Sequence, residues 1–303
     1  MTLIGIEPNM AMFIRPKRLV DSAWIGHAPF AAWLTAMARP RRFVELGTHR
    51  GMSYSTFCQT VLAEQLLTKC HAVDTWQGDE HSGAYGEDVY EDLSSFNARH
   101  FAGFSHLMRT GFDEAVLSFA DGSIDLLHID GLHTYEAVRH DFETWLPKLS
   151  DRAIVLFHDT AVRERGFGVW RYWNEISLRY PHFEFEHASG LGVLQVGTEV
   201  ATSIRQLLDL GQDVEGARRV KAIFSGLGDA IVQRHELENA SRPPVHGAAV
   251  SVELQARALA VVNGALAYRL AQSESMVRRL AGSFSWRVTR PLRAVRGLFK
   301  WRY

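Results

Sequence analysis

Residues 42–54, Arg-Phe-Val-Glu-Leu-Gly-Thr-His-Arg-Gly-Met-Ser-Tyr, constrain the fold more than any other stretch. Phe43, Val44 and Leu46, with the acid Glu45 among them, read as a strand. Glycines at 47 and 51 form a turn, and Ser53 and Tyr54 open a helix. A strand, a glycine turn and a helix N-terminus let a ligand approach the backbone closely. The spacing is Gly-x-x-x-Gly, not the Gly-x-Gly-x-x-Gly of dinucleotide-binding turns, so a cofactor without a pyrophosphate is indicated. A tight strand-to-helix turn can also need glycine for packing alone, and the segment by itself leaves both readings open.

From Arg42 to about Gly197, apolar runs alternate with helical periodicity. That pattern predicts an α/β fold, a doubly wound, seven-stranded, mostly parallel sheet. The expected strands are Phe43–Leu46, His71–Asp74, His106–Arg109, Ile124–Ile129, Ala153–His158, Phe183–Glu186 and Gly192–Val196, the last two forming an antiparallel pair. Helices are expected over Ser53–Leu67, Glu114–Phe119, Tyr135–Leu146 and Val169–Arg179. Thr134 caps the third of these, and Pro147 stops it. The segment Thr75–Ser105, with Trp76, Tyr85, Tyr90 and several acids, falls where the carboxyl ends of the strands make a crevice. It reads as a lid or recognition loop, or as a solvated acidic insertion.

Four regions follow: an N-terminal helical or irregular lead-in over 1–40, the sheet domain over 41–200, a helical extension over 201–282 with a linker near 239–248, and a tail over 283–303. No apolar run reaches the ~18 residues needed to span a bilayer. Pro8, Arg15, Pro16, Lys17 and Arg18 interrupt any signal-peptide core, and two cysteines, Cys58 and Cys70, make no disulfide framework. A cytoplasmic location is expected. Residues 275–303 carry eight cations and no acid, so at a net charge of −1 the rest of the chain is acidic. Trp286, Leu292, Phe299 and Trp301 among those cations suit peripheral contact with an anionic membrane, and a solvated tail is the alternative. No nucleic-acid module is recognisable. Within Val250–Leu280, an apolar seam suits packing on the main domain or self-association into a homo-oligomer.

Asp74 ends the second strand, where its carboxylate could accept the ribose hydroxyls of a nucleoside cofactor. Joined to Gly47 and Gly51, it makes S-adenosylmethionine the leading candidate. Thr48, Thr75 and Trp76 flank these positions, and Phe112-Asp113-Glu114 marks the adenine edge. The fourth strand ends in His128-Ile129-Asp130-Gly131-Leu132-His133 and the fifth in His158-Asp159. Parallel neighbours deliver Asp130, His133, His158 and Asp159 to one crevice wall, as ligands for a divalent cation and as a source of a general base. His128 alternates differently and is expected to be a packed, hydrogen-bonded core residue.

Glu-Leu-Gly-Thr-His-Arg-Gly-Met-Ser, Ala-Val-Asp-Thr-Trp, Ile-Asp-Leu-Leu-His-Ile-Asp-Gly-Leu-His-Thr-Tyr-Glu and Val-Leu-Phe-His-Asp-Thr occur in this order. Over residues 40–197 the chain thereby resembles class I S-adenosylmethionine-dependent methyltransferases with a Rossmann-like fold, in particular the macrocin O-methyltransferase and cephalosporin hydroxylase-like group. The resemblance implies cofactor contacts from Glu45, Gly47, Ser53 and Asp74, metal ligands at Asp130 and Asp159, and His133 as catalytic base. It implies O-methylation of a sugar or glycan, with Mg2+ or Mn2+ as the ion. Many relatives carry an acid where this chain has Leu132, and Glu or Asp where it has His158. Those departures weaken a hard-metal site and keep metal-free catalysis and a non-catalytic module open. The tail's Ser-Trp-Arg-Val-Thr-Arg-Pro-Leu-Arg resembles the ends of bacterial glycosyltransferases that build surface polysaccharides.

Overall fold

The computed structural model describes residues 6–164 and 166–241. The expectations for residues 242–303 (most of the linker, the helical seam and the basic tail) lie outside the described residues. Seven strands form the main sheet: β1 (Arg42–Leu46), β2 (Lys69–Asp74), β5 (Ser105–Arg109), β6 (Ile124–Ile129), β7 (Leu149–His158), β8 (His182–Phe185) and β9 (Leu191–Gln195). Their order is β5-β2-β1-β6-β7-β9-β8. The first five run parallel, and β9 pairs antiparallel with both β7 and β8. This is the doubly wound sheet that the sequence predicts.

From β1 the chain moves outward through β2 to β5, then returns to the other side of β1 for β6 and β7. The winding therefore reverses between β1 and β6, and ligands of open α/β sheets bind at the carboxyl ends of such strands. Both faces of the sheet are covered, which is why β1, β6 and β7 read as nearly continuous apolar runs. Alternate residues feed opposite layers. Phe43, Leu126, Ile154 and Leu156 join one core, whereas Val44, Leu127, Val155 and Phe157 join the other.

The second core is completed by α4 (Phe112–Ala115), α5 (Tyr135–Trp145) and α6 (Val169–Ile176), through Ala115, Phe142, Trp145 and Trp173. The first is covered by α1 (Ala28–Ala38), α2 (Met52–Ala63), α3 (Glu87–His100), α7 (Thr202–Asp209) and α8 (Val214–Ser241). Phe30 of α1 packs on Phe185 and Phe224 with ring centroids 4.5 and 5.3 Å apart. A Cβ on Gly228 of α8 would stand 2.1 Å from the Gly26 carbonyl, so the helix approaches the N-terminal turn backbone to backbone. The lead-in and residues 202–237 thus belong to the same packed layer rather than appending to it.

Boundaries differ in detail. The helix expected over Ser53–Leu67 ends at Ala63, because Gln65 turns left-handed at φ 52 and leaves Leu67 exposed. Helix α8 continues through Ser241, past the expected start of the linker at 239. The lid segment contains a short hairpin, β3 (Gly78–Asp79) with β4 (Gly83–Ala84), followed by α3. No helix among the described residues is long and apolar enough to cross a membrane.

Candidate active site

The turn after β1 is built by a carboxylate. Asp74 Oδ2 accepts from the backbone N–H groups of Thr48 and His49, both at 2.8 Å, and Oδ1 accepts from Trp76 N at 2.7 Å. Three N–H donors converging on one carboxylate make a strong clamp. It joins the end of β2 to the loop leaving β1. Gly47 (φ 83) is required there twice over: a Cβ would meet Asp130 O at 2.1 Å and Gly131 Cα at 2.9 Å. Gly51 (φ 73) caps α2, and its missing side chain admits Leu93 of α3. No side chain caps the α2 N-terminus, so its leading N–H groups are available to an acceptor.

This turn forms one wall of a cavity of about 490 Å³, within the range of small-molecule sites. Gly47, Thr48, Gly51, Ser53, Asp74, Thr75 and Phe112 line it, as do Asp130, His133, His158 and Asp159. Three residues expected to touch a cofactor do not line it. Glu45 is fully buried, and its Oε2 pairs with His128 Nδ1 at 2.8 Å. Trp24 Nε1 donates to the other nitrogen of His128 at 3.3 Å, so His128 holds its proton on Nδ1 and donates it to Glu45. Burial raises the Glu45 carboxyl above its ordinary pKa, against the opposing effect of His128. Side chains alternate along a strand, and the phase of β1 turns Glu45 into the core with His128. Trp76 is also buried; its Nε1 donates to His49 O at 2.9 Å, which braces the turn from behind. Asp113 turns outward to His140 at 2.8 Å.

The far wall carries titratable side chains. His158 Nδ1 lies 3.0 Å from Asp130 Oδ1 and 3.5 Å from Asp159 Oδ2. His133 Nε2 lies 2.9 Å from Asp159 Oδ2 and 3.6 Å from Asp130 Oδ1. Burial would lower the pKa of His133, but hydrogen bonds and charge from Asp130 and Asp159 outweigh it and push it up to about 9. His158 is likewise held well above its ordinary value by the two carboxylates despite burial. Burial opposes ionisation of Asp130, yet His158 and His133 bring it down to about 2; Asp159 is lowered further by the same two rings. His133 Nδ1 is buried with no hydrogen-bond partner among the described residues. A polar ligand group placed there would satisfy it.

Local structure fixes this wall. Gly168 N donates to His133 O at 2.7 Å, and Phe167 stacks on the His133 ring at 4.4 Å. Phe167 also stacks on His81 of the lid hairpin at 4.6 Å, and the His81 and His133 rings lie 5.6 Å apart. His158 Nε2 bonds the carbonyl of Ala188 at 3.1 Å, and His27 Nε2 bonds the same oxygen at 3.0 Å. Ala188, Ser189 and Gly190 have φ of 49, 71 and 92; the two non-glycine residues cost about 1–2 kcal/mol each to hold left-handed. That strain is spent on presenting one carbonyl to two histidines.

The chemistry of the donors suits a divalent cation: Asp130 and Asp159 offer oxygens, and the imidazoles offer nitrogens within the same few ångströms. Other lining residues were not among the expected site residues, although Asp79 and Ser82 fall in the segment expected to be a lid or recognition loop and Leu132 in the segment after the fourth strand. They are His49, whose ring stacks on Tyr85 at 4.4 Å, and Asp79, Ser82, Leu132 and the N-terminal Asp21 to Ala23. Asp79 had a local signal, since its Oδ1 accepts from His81 N and Ser82 N in a side-chain turn. Asp21 had none, because it reaches the cavity across the fold.

Residues 44–160 match the Methyltransf_24 family model, described as a methyltransferase domain. The chain contains a methyltransferase domain. The matched span runs from β1 to the residue after Asp159, and so includes both walls of the cavity. The chain is 46% identical over 233 residues to uncharacterized protein y4gI of Sinorhizobium fredii, covering 77% of this chain and 25% of that protein. A second relative, uncharacterized protein R132 of Acanthamoeba polyphaga mimivirus, is 29% identical over 123 residues, 39% of this chain and 50% of that one. The chain thus spans between a quarter and a half of the curated relatives it matches. Among solved structures, a methyltransferase from Geobacter sulfurreducens aligns at 13% identity and a TM-score of 0.44, covering 58% of this chain and 80% of that one. The O-methyltransferase TomG from Streptomyces achromogenes aligns at 14% identity and 0.41, covering 63% and 92%.

Proposed function

We propose that this chain is an S-adenosylmethionine-dependent O-methyltransferase acting on a hydroxyl of a sugar or glycan. The observation that carries the reading is the meeting of two walls at the reversal of the winding. The glycine turn braced by Asp74 faces the Asp130–His133–Asp159 group across one cavity. On the cofactor side, the N-terminus of α2, Ser53 and the remaining lone pairs of Asp74 bind the methionine and ribose portions. Phe112 packs against the adenine.

On the other side, His133 Nδ1 takes the proton of the acceptor hydroxyl, while Asp159 and Asp130 hold the ring through Nε2 and stabilise the imidazolium that forms. The acceptor oxygen attacks the sulfonium methyl in line. The carbon–sulfur bond breaks with its electron pair left on sulfur, giving a methyl ether and S-adenosylhomocysteine. Most of the acceleration comes from holding oxygen and methyl carbon collinear, worth up to about 7–11 kcal/mol. A divalent ion held by Asp130, Asp159 and His158 would supply positive charge beside the acceptor oxygen. Tyr85 over His49, with Asp79 and Ser82, presents a ring face edged by hydrogen-bonding groups, which suits a polar, ring-shaped acceptor.

The test is calorimetric titration with S-adenosylhomocysteine, followed by transfer of a labelled methyl group to a panel of nucleotide sugars and glycosides. Binding of cofactor and label in a sugar product are expected. A folded protein that gives no heat with either form of the cofactor would refute the reading and leave a non-catalytic module.

A further inference from the structure

We propose that Phe167 and His81 are positioning residues for the base: Phe167 sets the plane of the His133 ring, and His81 seats the β3–β4 hairpin on that pair. The proposal deepens the methyl-transfer reading and rests on it for the role of His133. Asp159 holds His133 through Nε2, at 2.9 Å. Nε2 lies across the ring from Cγ, close to the axis of the last side-chain torsion, which is a soft one in histidine. Rotation about that axis therefore swings Nδ1 while the contact at Nε2 survives. The Phe167 ring removes this freedom, because it lies 4.4 Å from the imidazole at an interplanar angle of 10°.

Phe167 is itself fixed to the same backbone. Its N–H donates to Glu164 O at 3.0 Å, its carbonyl accepts from Trp170 Nε1 at 3.0 Å, and the next residue, Gly168, donates to His133 O. A Cβ on Gly168 would stand 2.3 Å from Tyr135 N, so this loop is pressed against the start of α5.

The hairpin then reaches each wall of the cavity with one ring. Tyr85 stacks on His49 of the glycine turn at 4.4 Å and 17°, and His81 stacks on Phe167 at 4.6 Å and 25°. Ser82, Gly83 and Ala84 between these rings are exposed, so the rings carry the anchorage. The tip is stiff: Asp79 Oδ1 accepts from His81 N and Ser82 N, and Gly78 and Gly83 hold left-handed φ of 82 and 79. A stiff unit with few buried contacts opens and closes as one piece, so His81 meets Phe167 only while the hairpin spans the cavity. His81 Nδ1 is buried with no hydrogen-bond partner among the described residues; the ring packs through its face, and phenylalanine can replace it.

The experiment treats the full chain with diethyl pyrocarbonate, which acylates neutral imidazole nitrogens, and follows each histidine by peptide mass spectrometry. Phe167→Leu and His81→Ala are each expected to speed acylation of His133 about 2–10-fold relative to exposed His140, the factor that one aromatic contact contributes to a closed population. His27 and His128, both fully buried, should stay protected, and His81→Phe should restore the parent rate. Acylation reads the stack without any acceptor; transfer of a labelled methyl group to the sugar that the parent methylates reads its consequence. In Phe167→Leu, kcat should fall about tenfold or more, with the dissociation constant for S-adenosylhomocysteine changed less than about threefold. An unchanged His133 rate or an unchanged kcat in Phe167→Leu would overturn the assignment. So would an equal rise at His27 and His128, or a loss of cofactor affinity as large as the loss of kcat, since either marks general loosening. A parent protein that binds S-adenosylhomocysteine while its variants behave in one of these ways defeats this inference alone, whereas a folded parent that binds no cofactor defeats the methyl-transfer reading.

Discussion

His133 Nε2 stands 2.9 Å from Asp159 Oδ2, which ties the loop after β6 to the end of β7 and leaves His133 Nδ1 facing inward without a partner among the described residues. The pair has the geometry of a base held by an acid, with the carboxylate setting which nitrogen is presented. His133→Ala is therefore expected to lower turnover by about 10²–10⁴-fold, with cofactor affinity changed less than about threefold. Turnover and calorimetry on the same preparation measure both. A parallel loss of cofactor affinity would remove the residue from the proton-transfer role.

Asp74 is expected to show the opposite pattern. Removing its carboxylate in Asp74→Ala leaves the N–H groups of Thr48, His49 and Trp76 without their acceptor. Each orphaned, partly buried donor costs about 1 kcal/mol or more, so both the turn and the cofactor site should loosen. The dissociation constant for S-adenosylhomocysteine should rise at least about tenfold, and the melting temperature should fall. Unchanged cofactor binding would show that the clamp is structural only.

The pH profile should follow His133. A general base must be deprotonated, and with a pKa pushed up to about 9 only about 1% of the ring is neutral at pH 7. The rate under saturating cofactor should rise with pH and level off above about 9. Stability runs the other way. A histidine whose folded pKa is raised contributes its full stabilisation below about pH 6.5, and loses it as pH climbs to about 9. Melting curves across that window should show a decline as activity increases, and a rate falling over the same range would contradict the assignment.

Asp141, which does not line the cavity but lies behind Gly131, gives a separate stability test. It is 6% exposed on α5, and burial pushes its carboxyl up to about 7. The folded state thus keeps a proton that the unfolded chain releases, so stability should fall from about pH 4 to pH 7 on this account. Asp141→Asn should raise the stability at pH 8 by on the order of 2–4 kcal/mol at most, read as a higher melting temperature, and should change it little at pH 4. A gain of equal size at both pH values would show that ionisation is not the cause.

Gly47→Ala addresses the close approach of β1 and β6. Its Cβ would overlap the Asp130 carbonyl at a left-handed φ of 83, so relief requires backbone movement. A loss of about 2 kcal/mol or more is expected, together with weaker cofactor binding, because Asp130 shifts with the strand end. Wild-type melting and binding would show that the strand ends have slack that the structure does not suggest.

The sheet was legible because its signal is local. Runs such as Ile124–Ile129 and Ala153–His158 are apolar on both faces, and seven such runs with helices between them leave few ways to wind a sheet. Alternation also separated His128 from Asp130, and placed Asp130, His133, His158 and Asp159 on strand ends that face one cavity. What the local pattern could not supply was the partner of each side chain. Glu45 looks like a cofactor ligand until His128, distant in sequence, takes its carboxylate. Trp76 looks like a lid contact until its indole is found bracing His49. Ala188 carries no chemical signal at all, yet its carbonyl orients His158 and His27, because the backbone between β8 and β9 is held left-handed. Residue type and spacing determine which groups reach the crevice; the hydrogen-bond geometry of the folded chain decides which remain free to act there, since a buried polar group is committed to whatever partner the packing brings.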